Sequence, residues 1–389
     1  MAETTATPDA PVAAEPELDG RVRGLQGNES QAKLIWRGFR AHRLAVASLI
    51  VLGILYLMAA FAEFLAPTDP HEFNARYTYA PPQAIHWIDT NEDGSWAFRP
   101  YVHGYKVEVD PEVLRRTFAV DESVKYYIKL FPEGTSYEFW GLFEWDRHLF
   151  GVEGRRAVMF LLGADRLGRD VLSRVIYGAR ITLSVGLVGI ILSLVLGILI
   201  GGISGYYGGW IDDIIQRLIE FLRSLPAIPL WMGLAAALPR DWSPLQIYFA
   251  ITVILSLIGW TELARVVRSR FLALKSEDYV AAAKLDGVGD LRIILRHMVP
   301  AFTSHIIAAA SLAVPVMILA ETSLSFLGLG LQSPVISWGV LLQEAQNIRS
   351  LATAPWLLWP GVAIVIAVLA MNFVGDGLRD AADPYRETS

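Results

Sequence analysis

The sequence predicts an all-α polytopic membrane protein of six transmembrane helices, with a small, mostly β insertion outside the membrane. Three observations carry that reading. Hydrophobic residues make up 53% of the 389-residue chain and charged residues 19%, against about a quarter charged in ordinary soluble domains; mean hydropathy is +0.40. The apolar residues gather in runs of about twenty, the length a helix needs to cross about 30 Å of hydrocarbon. Between the first run and the second lies a long stretch rich in Tyr, Trp and Phe, punctuated by turn residues.

Residues 1–42 open with "AETTATPDAPVAAEPELDG" after the initial Met. That composition cannot bury a core, so the segment is expected to be disordered. It is too long and acidic to lead a signal peptide. The apolar run after it, within segment 43–66, is read as a retained anchor although "AFA" at Ala60–Ala62 mimics a cleavage site. The spans expected are Leu44 to Leu65, Ile181 to Ile203, Ile214 to Leu238, Leu245 to Ala264, Ile306 to Leu327 and Trp356 to Val374. The third carries Arg217, Glu220 and Arg223 in its first half and should kink at Pro226 and Pro229. Such a helix suits the wall of a water-filled path better than a lipid-facing position.

Bases set the orientation. Arg21, Arg23, Lys33, Arg37, Arg40 and Arg43 precede the first span, and seven more from Arg265 to Arg296 fill the segment between the fourth and fifth. Placing these segments in the cytoplasm puts both termini there. Residues 67–162 then form an extracytoplasmic domain of short strands, with turns at "DTNEDGSW" and "VHGY" and one helical piece near "DPEVLRRTF". Asp89, Asn91, Asp93 and Gly94 open like a calcium loop, but the twelfth position is Pro100, which offers no carboxylate, so a plain turn is expected. A five-helix core over 163–380 and a cytoplasmic tail over 381–389 complete the chain.

Several functions are excluded or weakened. There is no cysteine, hence no disulfide, thiol nucleophile or Cys-bound metal. No phosphate-binding GxxxxGK[ST] run, HExxH or GxSxG is present, and the histidines are scattered. The net charge of −6 has no single-sign block, so nucleic acid is not an expected partner; membrane lipid is. A secondary transporter would show repeated broken helices, which are not apparent, and a scaffold would not need Gly, Pro and acids inside its spans.

The segment 270–300 contains "DYVAAAKLDGVGDLRIILRHMVP", from Asp278 to Pro300. Asp278 to Leu285 reads as a helix with Ala281, Ala282 and Ala283 on a nearly smooth face, ended by Gly287 in a left-handed cap. Asp290 is expected to cap a second helix that reaches about His297 and stops at Pro300. Small side chains admit a partner protein closely, while Asp286, Arg296 and neighbouring charges ring the contact. A hairpin lying on lipid headgroups would want Leu, Phe or Trp in place of the alanines. Glu321, inside the fifth span, is a functional candidate because ionisable groups there are costly; the plainer role is a helix–helix hydrogen bond.

This stretch resembles the EAA loop of ABC importer permeases of the oligopeptide, dipeptide and nickel group, most like the C-type peptide permeases. Further matches fall in order: "LLGADRLGRDVLSRVIYGAR" from Leu161, "GYYGGWIDD" from Gly205, "AETSLSFLGLGLQSP" from Ala320 with "SWG" from Ser337, "APWLLWPG" from Ala354 and "GDGLRDAADP" from Gly375. The resemblance implies the type I ABC importer fold in a bacterial inner membrane and a subunit without catalysis or cofactor. It also implies a second homologous permease, two cytoplasmic ATPase subunits that bind ATP and magnesium, and an external solute-binding protein. Ala282, Ala283, Gly287 and Pro300 match the coupling loop; Ala281 stands where the motif has Glu, which removes any salt link from that position. Asp165, Gly168, Arg169 and Asp170 match the segment before the second helix, where a structural role is implied. The insertion is much longer than in the family's basic plan. It either caps the path and meets the binding protein or braces the second permease. Peptides lead as substrate, with oligosaccharides or opines as the alternative.

Overall fold

Apolar runs fold as helices because a chain in hydrocarbon must satisfy every backbone group within its own segment. The computed structural model describes residues 31–382, apart from 91–94, 110–115, 155–156 and 240. Its helices are α1 (Gln31–Ala41), α2 (Arg43–Ala60), the single turn α3 (Ala62–Leu65), α4 (Val171–Tyr207), α5 (Gly209–Ser224), α6 (Ala227–Ala236), α7 (Pro244–Leu274), α8 (Asp278–Leu285), α9 (Thr303–Phe326), α10 (Trp338–Gln343) and α11 (Trp359–Ala382). Among the described residues α2, α4, α7, α9 and α11 are long and apolar enough to cross a membrane, and α5 with α6 make a sixth span if the bent pair is counted as one.

The third span therefore departs from expectation. It is broken, not kinked: α5 and α6 meet at 87°. Leu225, the residue before Pro226, is extended at φ −82°, ψ 135°, because the proline ring disfavours helical conformation in its predecessor. A second correction concerns the start of the chain. Gln31–Ala41, placed in the disordered segment 1–42, is helical and packs on the end of α11, with Gly38 against Ala381 and buried Phe39 beside Gly377.

The bundle is built around α4, whose 37 residues extend about 55 Å. Gly197, Gly201 and Gly205 recur every fourth residue and lie against Leu263, Ala264 and Phe271 of α7. In lipid, helices associate by close packing, and small residues let backbones approach. Any larger side chain at Gly201 would meet the backbone of Ala264.

The insertion is an antiparallel sheet in the order β1 (His86–Thr90), β2 (Trp96–Val109), β3 (Arg116–Leu130), β6 (Phe150–Val152), with a separate hairpin of β4 (Glu133–Phe139) and β5 (Phe143–Arg147). Asn91, Asp93 and Gly94 of the turn lie outside the described residues. Asp89 is the penultimate residue of β1, and its carboxylate accepts from Lys125 Nζ at 2.6 Å and Tyr127 Oη at 2.7 Å. Two sequence expectations fail here. "VHGY" is no turn: it lies within β2, where pairing slips from His103 opposite Lys125 to Gly104 opposite Asp121, a bulge in β3. The helix expected near "DPEVLRRTF" is also corrected: its described part, Arg116–Phe118, opens β3, and residues 110–115 lie outside the description.

The base of the insertion is firmly tied. Its two ends run side by side, with Ala164 N donating to Ala80 O at 2.9 Å and Gln83 N to Phe160 O at 2.9 Å. Tyr77, Tyr105 and Phe160 form a small core beneath them. The β4–β5 tip reaches the end of α2: the Trp140 indole donates to Ala60 O at 2.8 Å. Its ring covers the Arg180 guanidinium at 4.3 Å, and Arg180 pairs with buried Glu63 at 2.6 Å.

Candidate functional site

Four places are candidates, and they fall at different levels of the bundle. At the end opposite the insertion, α8 spans Asp278–Leu285 and Gly287 follows at φ +71°, a conformation open to glycine at little cost. Val280 and Ala283 point inward, three residues apart, and join Val267, Phe271, Ile293, Ile294, Met298 and Phe302 in a core of their own. Ala281, Ala282, Leu285, Asp286 and Gly287 face outward, and Leu285 is 89% exposed. The three alanines thus do not share a face, because helical residues are turned by about 100° each. Ala283 is a packing residue.

The second half of the loop also differs from expectation. Asp290 makes no cap; its carboxylate accepts from Tyr206 Oη at 2.7 Å and Tyr207 Oη at 3.1 Å. The helix ends at Ala301, one residue past Pro300, and Phe302 at φ −133° separates it from α9. A turn at Asp290–Arg292 runs into a π-helical stretch, Ile293–Met298, and then Val299–Ala301. Pro300 is the second residue of that last turn, a helix-start position where a missing N–H costs little. Pro300 and Arg296 are exposed. Beneath the loop, buried Asp212 accepts from Ser204 and, with its two oxygens, from Nε and Nη2 along one edge of the Arg268 guanidinium. The "GYYGGWIDD" stretch therefore holds the loop to α4 and α7. Reading the sequence by segments missed this: Asp212 and Asp290 lie in two separate motifs and Arg268 in neither.

The insertion end shows the reverse arrangement. Asp165 is buried, and its carboxylate accepts from Leu167 N at 2.8 Å, Arg169 N at 3.0 Å and Arg169 Nε at 2.7 Å, with Arg174 Nε at 3.5 Å. Asp170 caps α4, accepting from Leu172 N at 3.3 Å and from Ser173 N at 2.8 Å and Oγ at 2.7 Å. Burial pushes the Asp170 carboxyl up to about 6 against those hydrogen bonds, with the Asp165 charge adding to the shift. Gly168 sits at φ +71° with Asn74 O 1.9 Å from where a Cβ would stand. Distant motifs converge on this turn: Glu344 accepts from Arg166 N at 2.8 Å, and the Trp356 indole donates to Ala164 O at 2.9 Å.

Glu321 lies buried in α9. One of its oxygens accepts from Ser325 Oγ at 2.8 Å and Ser337 Oγ at 2.9 Å; the other has no partner. Ser337 in turn caps α10 by accepting from Val340 N at 3.2 Å, and Trp338 N donates to Thr182 Oγ1 at 3.0 Å. The acid ties the "AETS" and "SWG" stretches together against α4.

The last place is the break between α5 and α6. A cavity of about 380 Å³ lies against α7 and α9, lined among others by Arg223, Trp231, Gly259, Glu262 and Met317. Arg223 hydrogen-bonds to Glu262. Among the described residues no cluster of His, Asp and Glu is placed to hold a metal ion.

A broken helix, a largely apolar cavity with one charge pair at its wall and an exposed small-residue loop are what a multi-span membrane transport subunit would present. Comparison with known proteins narrows this. Residues 182–387, more than half of the chain, match the family of binding-protein-dependent transport system inner membrane components, and residues 30–82 match the N-terminal TM domain of oligopeptide transport permease C. The chain belongs to the first family. It is 30% identical over 351 residues to the dipeptide transport system permease protein DppC of Bacillus subtilis, covering 90% of this chain and 84% of that one. It is 40% identical over 223 residues to the oligopeptide transport system permease protein OppC of Haemophilus influenzae, covering 57% and 69%. The chain is thus a non-catalytic, multi-pass subunit of a bacterial ABC transport complex, in which ATP is bound by separate ATPase subunits.

Proposed function

We propose that this chain is the C-type permease of an importer of dipeptides or oligopeptides. It would sit in the inner membrane beside a second, homologous permease, with both termini and α8 in the cytoplasm and the β insertion outside. Two ATPase subunits seat on α8, and a solute-binding protein delivers substrate on the other face. Peptide as the substrate class is supported by the two relatives described above, whose names carry dipeptide and oligopeptide transport.

The observation that carries the coupling role is the α8 loop itself. Its outward surface is small and open at Ala281, Ala282 and Gly287, with Leu285 protruding, while Val280 and Ala283 are rooted in a core shared with α7 and the start of α9. A partner that moves α8 must then move both helices, since packed cores transmit displacement and do not absorb it. ATP-driven closure of the ATPases would thereby switch the two permeases between inward and outward access.

The test is a pull-down in mild detergent with a tag on this chain. Gly287 is a poor place for the disrupting change, because its positive φ would confound folding with docking. Ala282→Arg, on an exposed helical position, is better. Wild type is expected to bring down ATPases and a second permease; the variant is expected to keep the permease and lose the ATPases. Retention of both by Ala282→Arg would remove the coupling assignment, and wild type emerging alone would remove the importer reading.

A further inference from the structure

The Arg223–Glu262 pair lies within the apolar runs, near their ends. Glu262 is two residues before the end of the run Leu245 to Ala264, and Gly197, against Leu263 and Ala264, is six before the end of the run Ile181 to Ile203, so this level falls in the last two turns of both. Yet the two side chains are 39% and 66% exposed. Ionisable groups at such depth face water or protein, not lipid. This flank of α5 and α7 is therefore not a lipid surface. The cavity beside it adds a second, independent sign: the indole nitrogen of Trp231, one of its lining residues, is a buried donor with no partner. A buried donor left unpaired is costly unless something else accepts from it.

We propose that Arg223, Glu262 and Trp231 form a subsite in the translocation path that reads the charged ends of a peptide. The Arg223 guanidinium takes the terminal carboxylate, Glu262 takes the terminal ammonium, and the Trp231 N–H donates to a backbone carbonyl between them. In the empty path the two charges neutralise each other. A zwitterion replaces one ion pair by two, so its passage leaves no unpaired charge at this level. The break at Leu225–Pro226 positions the site, because it turns α6 away and puts Trp231 across from the last turn of α5. The ligand class rests on the peptide-importer reading; the water-facing location does not.

Two measurements on the complete complex test this. The chain has no native cysteine, so Glu262→Cys provides a single reporter on it. Labelling by a charged, water-soluble thiol reagent in nanodiscs is expected, at a rate that changes when the ATPases are trapped closed. Absence of labelling in both states places the position against lipid or protein and overturns the subsite. Second, uptake of trialanine is measured in proteoliposomes supplied with the binding protein. Arg223→Gln and Glu262→Gln are each expected to lower uptake about tenfold with ATPase assembly retained, the loss of one charged hydrogen bond. Trp231→Phe should lower it less, in the same direction. The reversed pair, Arg223→Glu with Glu262→Arg, restores a salt bridge but exchanges the charges, and uptake should stay low. Recovery by the reversed pair would show that the two residues only hold α5 to α7. Trialanine uptake untouched by either single variant overturns the subsite alone. A wild-type complex that carries no peptide overturns the functional reading and with it the ligand assigned here, whatever the labelling shows.

Discussion

The two ends of α4 use charge in opposite ways. At the insertion end, Asp165, Asp170 and Arg174 are buried and their bonds run to backbone and side chains of the same turn or to the loops packed on it. At the α8 end, Asp286 and Arg296 stand in solvent, and the buried Asp212–Arg268 pair lies one layer below them. A buried charge held by several partners fixes one geometry, because losing one of them leaves an uncompensated group. An exposed rim fixes nothing within the chain and leaves its bonding capacity to another protein. The insertion end is thus built as a fixed point and the α8 end as a surface to be grasped.

The sharpest way to break this comparison is at Gly168. Alanine there must adopt a positive φ and place its Cβ on Asn74 O. Gly168→Ala is expected to destabilise the chain by on the order of 3 kcal/mol or more, seen as loss of folded protein in detergent. Gly287 has a similar φ, but nothing lies within 4 Å of its Cβ position. Gly287→Ala should therefore cost only about 1 kcal/mol and leave the fold intact. Equal effects at the two glycines would erase the distinction between the ends.

Asp170 gives the next largest effect, through pH. Its carboxyl is raised to about 6 in the fold, first by burial, from an ordinary value near 4. The folded state therefore holds the proton more tightly than the unfolded chain between about pH 4 and 6. Stability should fall as pH rises through that window, by about 3 kcal/mol in all, and level off above it. Thermal unfolding of the solubilised complex checks this. Asp170→Asn, which can still cap α4, should remove that part of the slope; an unchanged profile would mean that Asp170 is ionised throughout.

How much of this was legible in the sequence depends on the range of the interaction. The apolar runs, the helix Asp278–Leu285 and its glycine stop follow from local composition and φ preferences. The pairs Glu63–Arg180, Asp212–Arg268 and Arg223–Glu262 join residues about 40 to 120 positions apart, and no local period reports them. Asp290 shows the same limit. Its position before a helical stretch fits a cap, yet two tyrosines from the end of α4 claim its oxygens. The break at Pro226 was half legible: the prolines announce a disturbance, but an 87° turn depends on what α6 packs against.

Glu321 yields the smallest expected change and sharpens the comparison from inside the membrane. It is fully buried, as at a fixed point, but one oxygen lacks a partner, as at a site awaiting a ligand. Glu321→Gln separates the two. Its amide oxygen can accept from Ser325 and Ser337 as the carboxylate oxygen does, and the amide nitrogen falls where a partner is already absent. If the residue is only a tie between α9 and α10, assembly should be unchanged and uptake should stay within about twofold of wild type. Glu321→Leu should then cost about 2 kcal/mol, because both serine hydroxyls lose their acceptor. Loss of uptake by Glu321→Gln in an assembled complex would show instead that the free oxygen serves transport. The insertion end would then be more than a fixed point.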